Sequence, residues 1–513
     1  MAYTSLLSFL LLLPLLYLPL YLLLPLYLLL GRNKKKNKPN LPPGPINLPI
    51  VGSLHRLGLL PHRSLFALSQ KHGPLMYLKL GTVPAVIASS ADTARAFLKT
   101  HDLDCCSRPP LTSLDRLSYG FNDIAFAPYG GQWRELRKVC IIELFSSKKV
   151  LSFRPIRQEE VDRMVGSIAS QTDAVDLSEE LMSLANHITC RQGSNLRTYV
   201  KMTAIGKRYH VAGEGSRVKR ILAETQALFM GFFFEDYFPL LGWLDRLTGM
   251  RARLERNFSE LDGFYQEVID EHRDPAWRRE DDRAEDAIDA LLNIQKSGGS
   301  NITDEHIKAV LMNIFIAGSD TSSASVEWTM AELMRHPSVM KKAQDEVRSV
   351  AGKKGKVVEG DLDRLQYLKC VLKEVFRVHP IAPLLVQRET IQHCRVDGYD
   401  IPAKTRLLVN TFSIGRDARV WERPEEFDPE RFVDSNIDIR GHDFELIPFG
   451  AGRRICPGMG VGILVVELAL ANLLYWFDWE LPEETTKEDI DMSEAPGITV
   501  HRKSHLRLVA KRV

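Results

Sequence analysis

Ten residues near the carboxyl end, "FGAGRRICPG" (449–458), place one cysteine among three glycines, two arginines and an aromatic ring. Gly450 and Gly452 tolerate positive φ, so the loop before the sulfur can turn tightly and aim backbone N–H groups at it. Pro457 sits where a helix would begin, because its missing N–H is no loss in a first turn. The Cys456 sulfur would then lie near the positive end of a helix dipole with Arg453 and Arg454 close by, and both effects favour thiolate over thiol. Three roles are open to it: metal ligand, nucleophile with a nearby histidine as base, or a structural thiol in a glycine-rich turn.

Three other stretches carry polar residues at helical spacing. In "AGSDT" (317–321) a glycine costs about 1 kcal/mol relative to alanine inside a helix, so something must offset Gly318. Asp320 and Thr321 follow it as an acid and an alcohol able to pass protons, although a helical Thr also bonds back to a preceding carbonyl. In "KEVFR", Glu374 and Arg377 stand three apart on one helical face, and "PERF" (429–432) adds Arg431 further on. In "WRELR", Trp133 and Arg137 are one turn apart, which also suits an amphipathic helix with an aromatic anchor.

These groups need elements to hold them. "IKAVLMNIFIAGSDTSSASVEWTMAELMRH" (307–336) reads as one long apolar helix, with Thr303 as N-cap and Asp304 and Glu305 in its first turn. Such a run, outside a membrane segment, belongs through the middle of a core. "GILVVELALANLLYWF" (462–477) predicts a second buried helix just after the cysteine loop. Short β-rich pieces between Val51 and Ser89, and strands and turns over 396–412, predict small sheets. The expected class is mainly α, an α+β domain with minor sheets.

Composition sets outer bounds. Lys+Arg 67 against Asp+Glu 65 gives no general reason to bind nucleic acid. The seven cysteines are scattered with no C-x-x-C pair, which argues against a disulfide framework or a zinc site. Residues 5–30 are uncharged and dominated by Leu, long enough for a bilayer core of ~30 Å. A signal peptide would have a basic start and a small-residue cleavage site, both missing here. Lys34–Lys36 follow at once, so the positive-inside rule puts the remainder in the cytosol. The expected layout is a transmembrane anchor (1–31), a basic and proline-rich hinge containing "LPPGP" (32–50) that orients the body above the membrane, and one catalytic domain (51–513).

Taken together, Phe449, Gly452, Arg454, Cys456 and Gly458 resemble the haem-binding loop of the cytochrome P-450 family, and the likeness runs from the anchor to "GITV" (497–500). It is greatest to the plant microsomal branch that tailors specialised metabolites. The resemblance implies a P-450 fold holding haem b, with Cys456 as axial iron ligand, Phe449 beside the sulfur and Gly458 letting the helix approach the porphyrin. It implies propionate contacts from Arg454, Trp133, Arg137 and Arg388, room for dioxygen at Gly318, and proton delivery by Asp320 and Thr321. Glu374, Arg377 and Arg431 become a buried structural triad. Family-equivalent pocket segments are 113–121, Phe315, 381–385 and 496–499, which nominate Phe121, Phe315, Ala317, Ile381, Leu384, Leu385 and Ile498. Their apolar character points to a lipophilic substrate, a terpenoid first, with a phenolic, flavonoid or alkaloid skeleton as alternatives.

The implied partners are a membrane-bound NADPH-cytochrome P-450 reductase, which Arg134, Lys138 and Arg453 would meet, and cytochrome b5, at the endoplasmic reticulum. A haem-thiolate isomerase, or a haem binder without catalysis, would not need the Asp320–Thr321 pair. One stretch departs from the family: "QGSNLRTYVK" (192–201) is inserted after "NHITCR", either as a surface loop or as retained intron sequence.

Overall fold

The computed structural model describes residues 39–193, 214–274, 285–298 and 301–513. The proposed anchor and most of the insertion, 194–201, lie outside the described residues.

The long apolar stretch forms α3 (Asp304–Arg335), after α1 (Gly131–Glu143) and α2 (Leu177–Gly193) and before α4 (Gln366–Val378) and α5 (Met459–Trp476). The Thr303 hydroxyl accepts the His306 N–H, and the His306 side chain answers to the Thr303 N–H, which fixes where α3 starts. In α4, Leu368, Val371, Leu372 and Val375 recur at helical spacing and are buried, leaving the opposite side polar. α5 is apolar apart from Glu467 and Asn472; Val465 to Leu474 are buried without a break, in the same core as the Ala324–Met334 part of α3. It is long and apolar enough to cross a membrane, but its place here is the protein core.

The main sheet orders β1 (Leu75–Leu80), β2 (Val83–Ala88), β4 (Arg406–Val409) and β3 (Arg388–Glu389). Its β2–β4 pair is parallel, with Val86 opposite Leu407. "LPPGP" packs against this sheet: the Tyr77 N–H donates to the Pro43 carbonyl at 2.9 Å, and a Cβ on Gly44 would come within 2.0 Å of the Tyr77 oxygen. The described part of the expected hinge is therefore docked on the sheet. A smaller antiparallel sheet joins Val175–Asp176, Phe477–Glu480 and Arg507–Arg512. All seven cysteines are free thiols, although the Cys105 and Cys394 sulfurs touch at 3.8 Å.

Candidate active site

A cavity of about 1120 Å³ lies between the cavity face of α3 and the loop that precedes α5. It exceeds the ~300–1,000 Å³ that holds one drug-sized ligand.

The loop is shaped by two close approaches. The Cys456 N–H closes it by donating to the Phe449 carbonyl at 3.0 Å, and Gly450 and Gly452 sit at φ 71° and 69°. At Gly452 a Cβ would stand 2.2 Å from the Leu98 carbonyl oxygen, so only glycine fits. Cys456 is the only cysteine among the described lining residues. Its surroundings differ from the sequence expectation. Burial pushes the thiol up, and this outweighs the Gly458 and Met459 N–H groups and the Arg137 guanidinium, which pull it down. α5 starts at Met459, two residues beyond Pro457. Arg454 donates to the Cys106 and Ala127 carbonyls, and Arg453 extends toward solvent with Asp102 at 3.6 Å. A bound cation would hold this sulfur as thiolate where the protein alone does not.

At the edge of the cavity four guanidiniums converge: Arg108, Arg137, Arg388 and Arg454. Arg388 donates to Asp102 at 2.7 Å and to the Ala451 carbonyl at 2.7 Å, and Arg137 to the Ile455 carbonyl. Arg108 reaches the carbonyls of Ala125, Val386 and Gln387. Burial lowers the pKa of all four, to about 10 for Arg454, and repulsion from neighbouring guanidiniums adds to it at Arg108, Arg137 and Arg454. The Nη1 of Arg454 is buried with no partner. A cluster of buried cations with an orphaned donor suits a ligand bearing carboxylates. Haem fits this donor set: its propionates would answer the guanidiniums, and its iron the sulfur. Trp133, expected to touch a propionate, lies outside the cavity lining. Its indole N–H donates to the Ile124 carbonyl at 3.0 Å, and its ring supports Arg454 from 3.9 Å. Arg108 escaped the sequence reading because a lone arginine in a loop carries no periodic signal.

On the opposite wall, Ile314, Ala317, Gly318, Thr321 and Ser325 share one face of α3. The Thr321 hydroxyl donates to the Ala317 carbonyl at 2.7 Å, and Asp320 Oδ1 meets His501 Nε2 at 2.7 Å. Gly318 lines the cavity and also meets a packing demand that the sequence did not show. A Cβ there would lie 2.9 Å from the Thr189 Oγ1, so glycine lets α2 pack against α3. Alanine would gain about 1 kcal/mol of helix propensity but lose ~1–3 kcal/mol to overpacking. Gly318→Ala is thus expected to lower the thermal midpoint or leave it unchanged, and to raise it only in a Thr189→Ala background. A thermal double-mutant cycle checks this, and a clear rise from Gly318→Ala alone would contradict it.

Of the expected pocket residues, Ala317, Ile381, Leu385 and Ile498 line the cavity, with Phe449 and the whole of 496–499. Three do not. Phe315 is fully buried and packs on the rings of Phe264 and Tyr265, each 6.0 Å away; it lies a helical step from Ile314, which takes the lining position. Phe121, at φ 63° in a turn, packs against the same core cluster as Phe315, and Leu384 packs behind the main sheet. Ile124, Ala125, Phe126 and Phe229 line the wall instead. Asn313 fixes that segment: its Oδ1 accepts the Ile124 and Ala125 N–H groups at 3.1 and 3.2 Å, while its amide donates to buried Asp123.

Behind the loop, Glu374 and Arg377 are fully buried. Arg377 donates to both Glu374 oxygens at 2.7 Å and to the carbonyls of Gly415, Pro424 and Glu426, and Arg431 Nε reaches Glu374 at 3.0 Å.

The family model for cytochrome P-450 matches residues 42–508. The chain is 49% identical over 486 residues to a strychnine-11-hydroxylase of Strychnos nux-vomica, covering 93% of each chain. It is 50% identical over 474 residues to cytochrome P-450 71A9 of Glycine max, covering 92% of this chain and 93% of that one. Among solved structures, a zebrafish cytochrome P-450 with abiraterone superposes with a TM-score of 0.72 at 25% identity, covering 89% of this chain and 100% of that one.

Proposed function

This chain belongs to the cytochrome P-450 family, and from that premise we propose that Cys456 ligates its haem iron and that its substrate is a neutral, lipophilic terpenoid. It is a plant-type monooxygenase of specialised metabolism, with haem b as cofactor and NADPH electrons arriving through a reductase. Bound haem supplies the activation of O2 and the insertion of one oxygen atom into a C–H bond. The protein supplies the rest. Arg108, Arg137, Arg388 and Arg454 would hold the propionates, the 381–385 and 496–499 segments would orient the substrate, and Asp320 with Thr321 would bring protons to the cavity. Because the Thr321 hydrogen is spent on Ala317, its oxygen serves as an acceptor and the proton must originate on the acid side.

The observation that carries this reading is the single cavity lined by Cys456, by Arg454 and by Ala317, Gly318, Asp320 and Thr321 of α3. One assay separates the alternatives. Product that requires NADPH, reductase and O2 supports it; turnover of hydroperoxides without them would instead identify an isomerase, and neither a haem binder.

The terpenoid preference rests on charge. Of the four carboxylates among the described lining residues, Asp320 on α3 is engaged by His501, while Asp363, Asp438 and Glu467 belong neither to α3 nor to the 381–385 and 496–499 segments, so a protonated amine held by those segments is offered no free counter-ion from them. Identity to a strychnine hydroxylase favours an alkaloid as the second reading. A spectral titration of iron-bound water displacement with terpenoid, phenolic and alkaloid panels decides between them.

Membrane association draws support from apolar residues exposed on adjoining segments: Ile46, Ile50, Leu240, Trp243 and Leu247. The Thr82 N–H donates to the Tyr237 carbonyl and Gly52 pairs with Leu80, which brings these segments together. With the anchor they would seat the enzyme on the endoplasmic reticulum. Arg134, Lys138 and Arg453 are exposed and available to an acidic reductase or cytochrome b5 surface.

A further inference from the structure

His501 stands where the substrate wall meets the distal acid. Its Nε2 lies 2.7 Å from Asp320 Oδ1, and both side chains line the cavity. The backbone beside it is clamped. The Val500 N–H donates to the Ile381 carbonyl at 2.9 Å, the buried Trp328 indole donates to the Val500 carbonyl at 2.9 Å, and the His501 carbonyl accepts the Ala495 N–H at 2.8 Å. The imidazole is thus presented by a fixed loop whose neighbours, Pro496 to Thr499, form the cavity wall. Its side chain is 24% exposed against 13% for Asp320, so of the two it is the better placed to exchange protons with bulk water.

We propose that His501 is the positioning and proton-supply residue for Asp320, holding the carboxylate in place and recharging it from solvent. In each transfer the Nε2 proton of the imidazolium passes to Asp320 Oδ1, Asp320 releases a proton toward the cavity, and the neutral imidazole takes one from water. The inference rests on Asp320 acting as the acid. The charged groups facing His501 among the described residues are Asp320 and Glu327, both on α3, while neighbouring Arg502 lies 3.8 Å from Glu327. Burial opposes the charged imidazole, but the hydrogen bond and charge of Asp320 outweigh it and hold the His501 pKa above its ordinary value. The imidazolium is therefore present below that raised pKa and lost as pH climbs through it.

The test uses the full-length, haem-loaded protein with reductase and NADPH and no added substrate, so it does not depend on knowing one. The fraction of electrons recovered as peroxide is expected to rise on the alkaline side in the parent. In His501→Gln and His501→Arg, which keep a donor to Asp320 but cannot cycle a proton near neutrality, it is expected to be severalfold higher and independent of pH. Ring-carbon NMR, with the His501 signal identified by its loss in His501→Gln, should show its pKa falling in Asp320→Asn, where only the charge of Glu327 still opposes burial. Parent-like peroxide yield and pH profile in both His501 variants, or a His501 pKa unmoved in Asp320→Asn, would overturn the proposal. If Asp320→Asn itself leaves peroxide unchanged, the acid role of Asp320 falls first. A reduced carbon monoxide spectrum in each variant shows that haem loading is intact.

Discussion

Glu374→Ala is expected to yield a chain that retains little haem and unfolds well below the parent. Arg377 has no exposure to water, and two of its hydrogen bonds end on Glu374. Glu374 also accepts the Asp428 N–H at 2.7 Å and the Arg431 Nε–H at 3.0 Å. Removing it leaves a buried guanidinium short of its counter-charge, at a cost of about 3–5 kcal/mol. That is a large part of the ~5–15 kcal/mol by which folded proteins exceed the unfolded state. The damage is not local: a Cβ on Gly415 would come within 2.4 Å of the Arg377 carbonyl oxygen, so the segment leading to the haem loop is packed directly on this pair. Thermal denaturation and haem yield measure the effect, and a variant that melts with the parent would contradict it.

Thr321→Ala is expected to act on chemistry and spare the fold. Its hydroxyl bonds only to the Ala317 carbonyl within its own helix, so deleting it costs ~1 kcal/mol or less. If its oxygen guides protons into the cavity, NADPH consumption persists while peroxide rises and product falls by about two orders of magnitude, the lower end of the ~10²–10⁴-fold ascribed to positioned proton-transfer groups. Thr321→Ser should keep most of the coupling. Fully coupled turnover in Thr321→Ala would refute the role.

What could be read from the sequence was whatever lies within one local pattern. The cysteine loop, the Glu374–Arg377 step and the two apolar helices each declare themselves within one stretch of about thirty residues or fewer. What escaped depends on helical phase or on approach through space. Phe315 and Ile314 differ by a single position, yet one joins an aromatic core and the other the cavity. Gly318 answers to Thr189 on a different helix, and His501 to Asp320, separated by 181 residues. Trp133 shows the same limit: spacing placed it one turn from Arg137, but the partner of its indole N–H, the Ile124 carbonyl, was decided by a loop that the helix pattern does not describe. The expected lowering of the Cys456 pKa failed because a sequence shows nearby charge but not desolvation, which dominates at that sulfur.

The central claim is an iron–sulfur bond at Cys456, and the carbon monoxide difference spectrum of the reduced, haem-loaded protein tests it most directly. Thiolate ligation predicts the red-shifted band characteristic of that ligand in the parent and its loss in Cys456→Ser. A band at the position typical of an imidazole ligand in the freshly prepared parent, or an unchanged red-shifted band after Cys456→Ser, would contradict it.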